Sequence, residues 1–183
     1  MGAQTAETGA VPGGWGRIVW FGALGWAILF TVAAGLFTAG YALDDPGGLA
    51  GIGLVLLWLV PLLGGSLLAW RWPAIAYRLL LVVAVLAVGL GLWQLLDPIS
   101  LRDFEDANGP VTAIGSFITM LPIAVLWRVQ RWPAALLMLV IGLAGMLPEL
   151  RGDLHFGSSA AVAVPMLLEA ALLALAAALV PRR

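Results

Sequence analysis

The sequence predicts an all-α integral membrane protein, a bundle of six transmembrane helices built from hairpins, with both termini cytoplasmic. Three observations predict it. The chain is 62% hydrophobic and 10% charged, whereas ordinary soluble domains carry about 25% charged residues. Its apolar residues fall into six runs separated by short polar or Gly/Pro-rich breaks. Its arginines and carboxylates segregate to opposite ends of those runs.

The elements follow in order. Residues 1–13 are small, polar and glycine-rich, and read as a disordered cytoplasmic tail. No positive segment precedes the first apolar run, so the tail does not resemble a cleaved signal peptide. The runs place helices at about 18–43, 49–69, 74–96, 111–129, 132–150 and 159–180 within one domain, 14–183. A span needs about 20 apolar residues. The fifth run is the shortest, because Pro148 and Glu149 close it early.

The first hairpin turns at Trp70-Arg71-Trp72-Pro73, and Arg131-Trp132-Pro133 repeats it 60 residues later (131 − 71). Arginine is costly in hydrocarbon and draws the backbone to the headgroups. Tryptophan prefers the same depth. Trp70, Arg71, Trp72, Arg131 and Trp132 are therefore expected to anchor two turns at one membrane face. Proline is tolerated where a helix begins, and it pushes the preceding residue out of the helical region. Each preceding helix should thus end at Trp72 and at Trp132. The two hairpins share one orientation, a parallel repeat.

With the N-terminus inside, the inner side holds Arg17, Arg71, Arg78, Arg128, Arg131, Arg182 and Arg183, and the outer side only Arg102 and Arg151. That bias obeys the positive-inside rule. Asp44, Asp45, Asp97, Asp103, Glu105, Asp106, Glu149 and Asp153 all fall outside. The expected location is the plasma or inner membrane.

Composition also excludes chemistry. Without cysteine there is no disulfide, thiol catalysis or thiolate metal site. Without lysine there is no Schiff-base cofactor. A net charge of −1 gives no footprint for nucleic acid, which needs clustered basic surface. Asp103, Glu105, Asp106 and Asn108 depart from the EF-hand pattern at Ala107. His155 is the only histidine, and a zinc site would need further nitrogen ligands. No nucleophile–base pair or phosphate loop is present. The expectation is no catalytic residue, no metal and no cofactor.

Glu169 is the most informative side chain. It lies midway along the sixth run, where an ionised carboxylate costs about 2.5–3.5 kcal/mol by insertion scales. It marks either a proton or cation site or an acid hydrogen-bonded to a neighbouring helix. Ser116, Thr119 and Trp58 are its expected partners, with Thr31 and Thr38 also in reach. Pro61, Pro122 and Pro165 lie inside the second, fourth and sixth runs and should bend them. Ala170, Ala174 and Ala178, Gly64-Gly65 and Gly89/Gly91 offer faces for close helix approach. Trp15, Trp20, Trp70, Trp72, Trp127 and Trp132 read as an aromatic belt at the cytoplasmic boundary, with Trp93 at the other.

The passage from Pro61 through Ala69-Trp70-Arg71-Trp72 resembles small uncharacterised multi-pass membrane proteins of bacteria. The resemblance implies a multi-pass inner-membrane location and carries no activity. The expected function is that of a non-enzymatic accessory or scaffolding subunit. Its partners would be the lipid bilayer and other membrane proteins, or further copies of itself. The alternative is a small transporter or proton/cation pathway using Glu169.

Overall fold

A computed structural model describes residues 14–44, 47–96, 111–147 and 159–180, and these are all-helical. The helices are α1 (Trp15–Asp44), α2 (Gly48–Arg71), α3 (Pro73–Leu96), α4 (Val111–Leu126), α5 (Arg131–Ala144) and α6 (Ser159–Ala178). Four of them, α1, α2, α3 and α6, are long and apolar enough to cross a membrane, while α4 and α5 are shorter apolar helices. At 1.5 Å rise, α2 and α3 are roughly 36 Å long, enough for a ~30 Å hydrocarbon core. The expected tail at 1–13 lies outside the described residues, as do Asp103, Glu105, Asp106, Asn108 and His155.

Burial is uneven. The large buried side chains, Met120, Ile123, Leu126, Trp127, Met138, Ile141, Met166 and Leu173, come from α4, its following turn, α5 and α6. Helix α1 lays Trp20, Ala23, Ala27 and Thr31 against this core, at the three- and four-residue spacing of one helix face. Helices α2 and α3 attach through narrow stripes, Gly51, Trp58, Leu62 and Ala69 on one and Ala76, Leu80, Ala84 and Gly91 on the other. Their remaining surfaces are exposed Leu, Val and Ile.

Two turns and two helix ends gather at one end of the bundle. The Arg128 guanidinium lies 3.5 Å from the Trp70 ring centroid, which sets the α4–α5 turn beside the α2–α3 turn. Trp20 stacks on Trp127 at 5.9 Å, bringing in the start of α1. A Cβ added at Gly16 would come within 3.0 Å of Val180, which brings in the end of α6. At the opposite end, Gly91 abuts the Ala144 carbonyl and Leu147. There Gly47 and Gly48, at φ 64° and 55°, turn α1 into α2 through a region other residues rarely enter.

The two repeated turns differ. In the first, Trp72 leaves the helix at φ −135°, ψ 70°, its N–H closes α2 on Leu68 O at 2.7 Å, and Pro73 opens α3, as the residue order predicts. In the second, the pivot is Gln130 at φ −122°, ψ 74°. Trp132 is therefore helical, in line with the expected start of the fifth helix at 132, and it is not the residue before Pro133 that closes the preceding helix. The reason is twofold. The chain behind α4 tightens early, with Arg128 N–H on Val125 O and Val129 N–H on Leu126 O. Pro133 then sits in the first turn of α5, where its missing N–H costs nothing.

Two extra helical residues before the proline turn the helix by about 200° at 3.6 residues per turn. The repeat consequently packs different faces, although Ala84 and Ala144 are both buried. Ala76 and Leu80 are buried on α3, whereas Leu136 and Val140, 60 residues on, are exposed on α5. Arg78 and Leu81 are exposed, whereas Met138 and Ile141 are buried. Helix α5 ends at Ala144, short of the expected 150, and turns through Gly145–Met146.

Close approaches make specific demands. A Cβ on Gly35 would lie 2.5 Å from the Trp58 ring, while one on Gly22 meets nothing within 4 Å. Gly35→Ala is expected to destabilise the bundle by about 1–3 kcal/mol through overpacking. Gly22→Ala should leave it unchanged or gain up to about 1 kcal/mol of helix propensity. Reversible unfolding in mixed micelles measures both.

Candidate functional site

Helix α6 brings one ionisable group into the core. Glu169 is ten residues from Ser159 and nine from Ala178, so it sits at mid-helix, roughly 15 Å from either end. Its side chain is 0% exposed. Neither carboxylate oxygen has a hydrogen-bond partner.

The neighbouring turns explain this isolation. The buried face of α6 is Ala163, Pro165, Met166, Glu169, Ala170, Leu173, Ala176 and Ala177, apolar except for the acid. Four residues before Glu169, the Pro165 carbonyl accepts the Trp26 indole N–H at 3.0 Å. Four residues after it, the Leu173 carbonyl accepts the Trp127 indole N–H at 2.9 Å. Two strong donors thus reach the Glu169 face of α6, and both serve main-chain carbonyls. A third indole, Trp20, donates to Ala124 O at 3.1 Å. Together they tie α1 to α4, α1 to α6, and the α4–α5 turn to α6.

The expected partner set does not converge on the acid. Thr119 Oγ1 donates back to Ser116 O at 2.7 Å, and Thr38 Oγ1 to Ala34 O at 2.8 Å. Trp58 Nε1 and Thr31 Oγ1 have no partner. The Trp58 ring lies along Gly35 of α1, and Phe117, next to Ser116, stacks on Phe30. By the α1–α6 register that pairs Trp26 with Pro165, these polar groups lie at a different depth from Glu169. Ser66 Oγ likewise bonds its own helix, at Leu62 O.

The three bend prolines also separate. Pro122 and Pro165 are buried and Pro61 is exposed. Pro122 seats against Gly65, where an added Cβ would approach to 3.2 Å. The alanine stripe on α6 winds outward, with Ala170 buried, Ala174 half-buried and Ala178 exposed.

At the end that holds the paired turns, Trp15, Trp70, Trp72 and Trp132 are exposed by 74%, 60%, 53% and 47%. Trp20 and Trp127 do not share that exposure. They are 8% and 0% exposed, stacked and hydrogen-bonded inside the core. Residue type alone suggested the belt. The signal against it was the spacing of Trp20 with Ala23, Ala27 and Thr31, which puts that indole on the packed stripe of α1. Arg71 lies over the Trp72 ring and Arg131 over the Trp127 ring, each at 5.8 Å.

Comparison with protein-family models, with curated proteins and with solved structures yields no match to this chain.

An enclosed acid without a partner fills space but gives no interhelical hydrogen bond. Replacing it by an apolar residue of similar volume removes an unsatisfied group. Glu169→Met is therefore expected to stabilise the bundle by about 1–3 kcal/mol, whereas Glu169→Ala should cost about 2 kcal/mol or more through the cavity. Trp127→Phe, which deletes one interhelical bond, should cost about 0.6–1.7 kcal/mol. A loss of stability in Glu169→Met would show that the carboxyl holds helices together.

Proposed function

We propose that this chain is a non-enzymatic integral membrane protein of six crossings with both termini cytoplasmic, and that it serves as an accessory or scaffolding subunit. The crossing number is supported by the levels of α3 and α5. Both begin at the paired Trp/Arg turns, and Gly91 of α3 meets Ala144 and Leu147 of α5 at the other end. The short α5 therefore rises as far as most of α3. The arginines at the gathered ends support the orientation.

The observation that carries the subunit assignment is the outward face of α2. Gly53 and Gly64 are exposed, and a Cβ on either would meet nothing within 4 Å. Eleven residues apart, they share one face. Pro61, also exposed, leaves the Leu57 carbonyl without its helical donor. Glycine inside a helix costs about 1 kcal/mol relative to alanine and gives lipid nothing in return. Its use is close backbone approach by another helix, which would also shield the bare carbonyl.

A second reading draws on Glu169 itself. An intramembrane acid is a functional-site candidate by default, and here it has no bonding role. It would belong to a proton or cation pathway that is closed in this conformation.

Three measurements decide. Because the chain has no cysteine, Ala107→Cys is a unique label, expected to react only from the outer face. Gly64→Leu should dissociate the protein from its membrane partner in lipid nanodiscs and leave unfolding unchanged. Glu169→Gln in liposomes separates the two roles. Retained assembly with lost pH-dependent flux selects the pathway, and absence of flux in both forms selects the accessory role.

A further inference from the structure

Among the described residues, two other buried polar atoms lack partners, Thr31 Oγ1 and Trp58 Nε1, and their residues both belong to the wall of one groove. The groove runs between α1 and α2, with a volume of about 340 Å³, and its lining includes Thr31, Gly35, Trp58, Leu62, Leu63 and Leu121. Thr31 and Trp58 are 2% and 8% exposed. Neither Thr31 Oγ1 nor Trp58 Nε1 has a hydrogen-bond partner. Thr38, Ser66 and Thr119 each bond a carbonyl of the preceding turn, so Thr31 departs from the habit of this bundle. The Trp58 ring fills the space left by Gly35, one turn beyond Thr31. Two unmet groups on adjacent helices thus lie behind the wall of one opening.

Their chemistry defines an occupant. An indole nitrogen only donates, and a hydroxyl can donate as well. Unsatisfied groups in hydrocarbon cost several kcal/mol each. What answers both is an acceptor oxygen carried on an apolar body, since the rest of the lining is aliphatic. The volume lies within the ~300–1,000 Å³ range of small-molecule sites.

Depth selects the source of that oxygen. Trp58 is ten residues from Gly48 and thirteen from Arg71, roughly 15 and 20 Å from the helix ends. Acyl-ester carbonyls of phospholipids lie at the edge of the ~30 Å hydrocarbon core. A carbonyl that reaches Trp58 must belong to a molecule dissolved in that core.

We propose that the α1–α2 groove binds a membrane-dissolved quinone-type compound, one ring carbonyl accepting from Trp58 Nε1–H and the Thr31 hydroxyl. Both atoms lie just beneath the apolar wall, and the exposed Leu36 and Leu63 at the groove mouth are the side chains with room to part. The site is independent of the subunit role, because Gly53 and Gly64 lie on the other side of α2.

The test uses the full chain in phosphatidylcholine nanodiscs, with a decyl-substituted benzoquinone as probe and tryptophan quenching as readout. The expected result is saturable quenching at one probe per chain. Thr31→Val and Trp58→Phe should each weaken binding about fivefold, the worth of one hydrogen bond, with Thr31→Val folded at least as stably as wild type. Leu63→Trp should block the groove. Thr31→Val is nearly isosteric and decides the matter should Trp58→Phe not fold. Quenching that rises without saturation, or equal affinity in wild type and Thr31→Val, overturns the proposal. So does a phospholipid retained in native mass spectra and released by Thr31→Val.

Discussion

The centre of this bundle depends on three indole N–H groups that find main-chain carbonyls on other helices. In an apolar interior, van der Waals packing alone leaves helix positions weakly specified, and a directional bond between a side chain and a backbone fixes both depth and rotation. Trp20, Trp26 and Trp127 supply such bonds to Ala124, Pro165 and Leu173. Trp20 and Trp127 also stack, so the two ties nearest the anchoring end reinforce each other. These bonds join α1, α4 and α6, against which α5 packs Met138 and Ile141. Helices α2 and α3 are added through narrow stripes that include Trp58, Leu62 and Leu80.

The isolation of Glu169 follows from the same bonds. The donors that reach its face of α6 are committed to carbonyls one turn to either side. Sterically the acid is enclosed, and chemically it is idle in this conformation. That combination separates it from the small hydroxyls of the core, most of which bond their own helix. It also separates it from Thr31 and Trp58, whose unmet groups lie behind the wall of a groove.

Much of the architecture is legible in the residue order. The long apolar runs of α1, α2, α3 and α6 specify those helices, and Trp72-Pro73 specifies the first turn because proline restricts the residue before it. The second turn is legible in its place but not in its pivot, for a physical reason. Proline is equally content at the first or third position of a helix, so Pro133 does not by itself mark where α5 starts. Glu169 was identifiable as a charged residue among aliphatics. Its surroundings were not, because hydrogen-bond partners depend on which helices meet and at what depth. Thr119 and Trp58 were sensible partners by composition, yet one bonds its own helix and the other faces a different neighbour. Trp20 and Trp127 show the converse limit. The residue type that marks an interface also makes the strongest ties inside a core, and only the neighbouring stripe tells them apart.

The displaced pivot at Gln130 has a wider consequence. A tandem copy of a hairpin normally inherits the surroundings of its parent, which would force a symmetric assembly. Here a slip of two residues at the corner moves the packed stripe of α5 around the helix relative to that of α3. Two near-identical turn sequences therefore lead into one helix buried on a narrow stripe and one buried along half its residues.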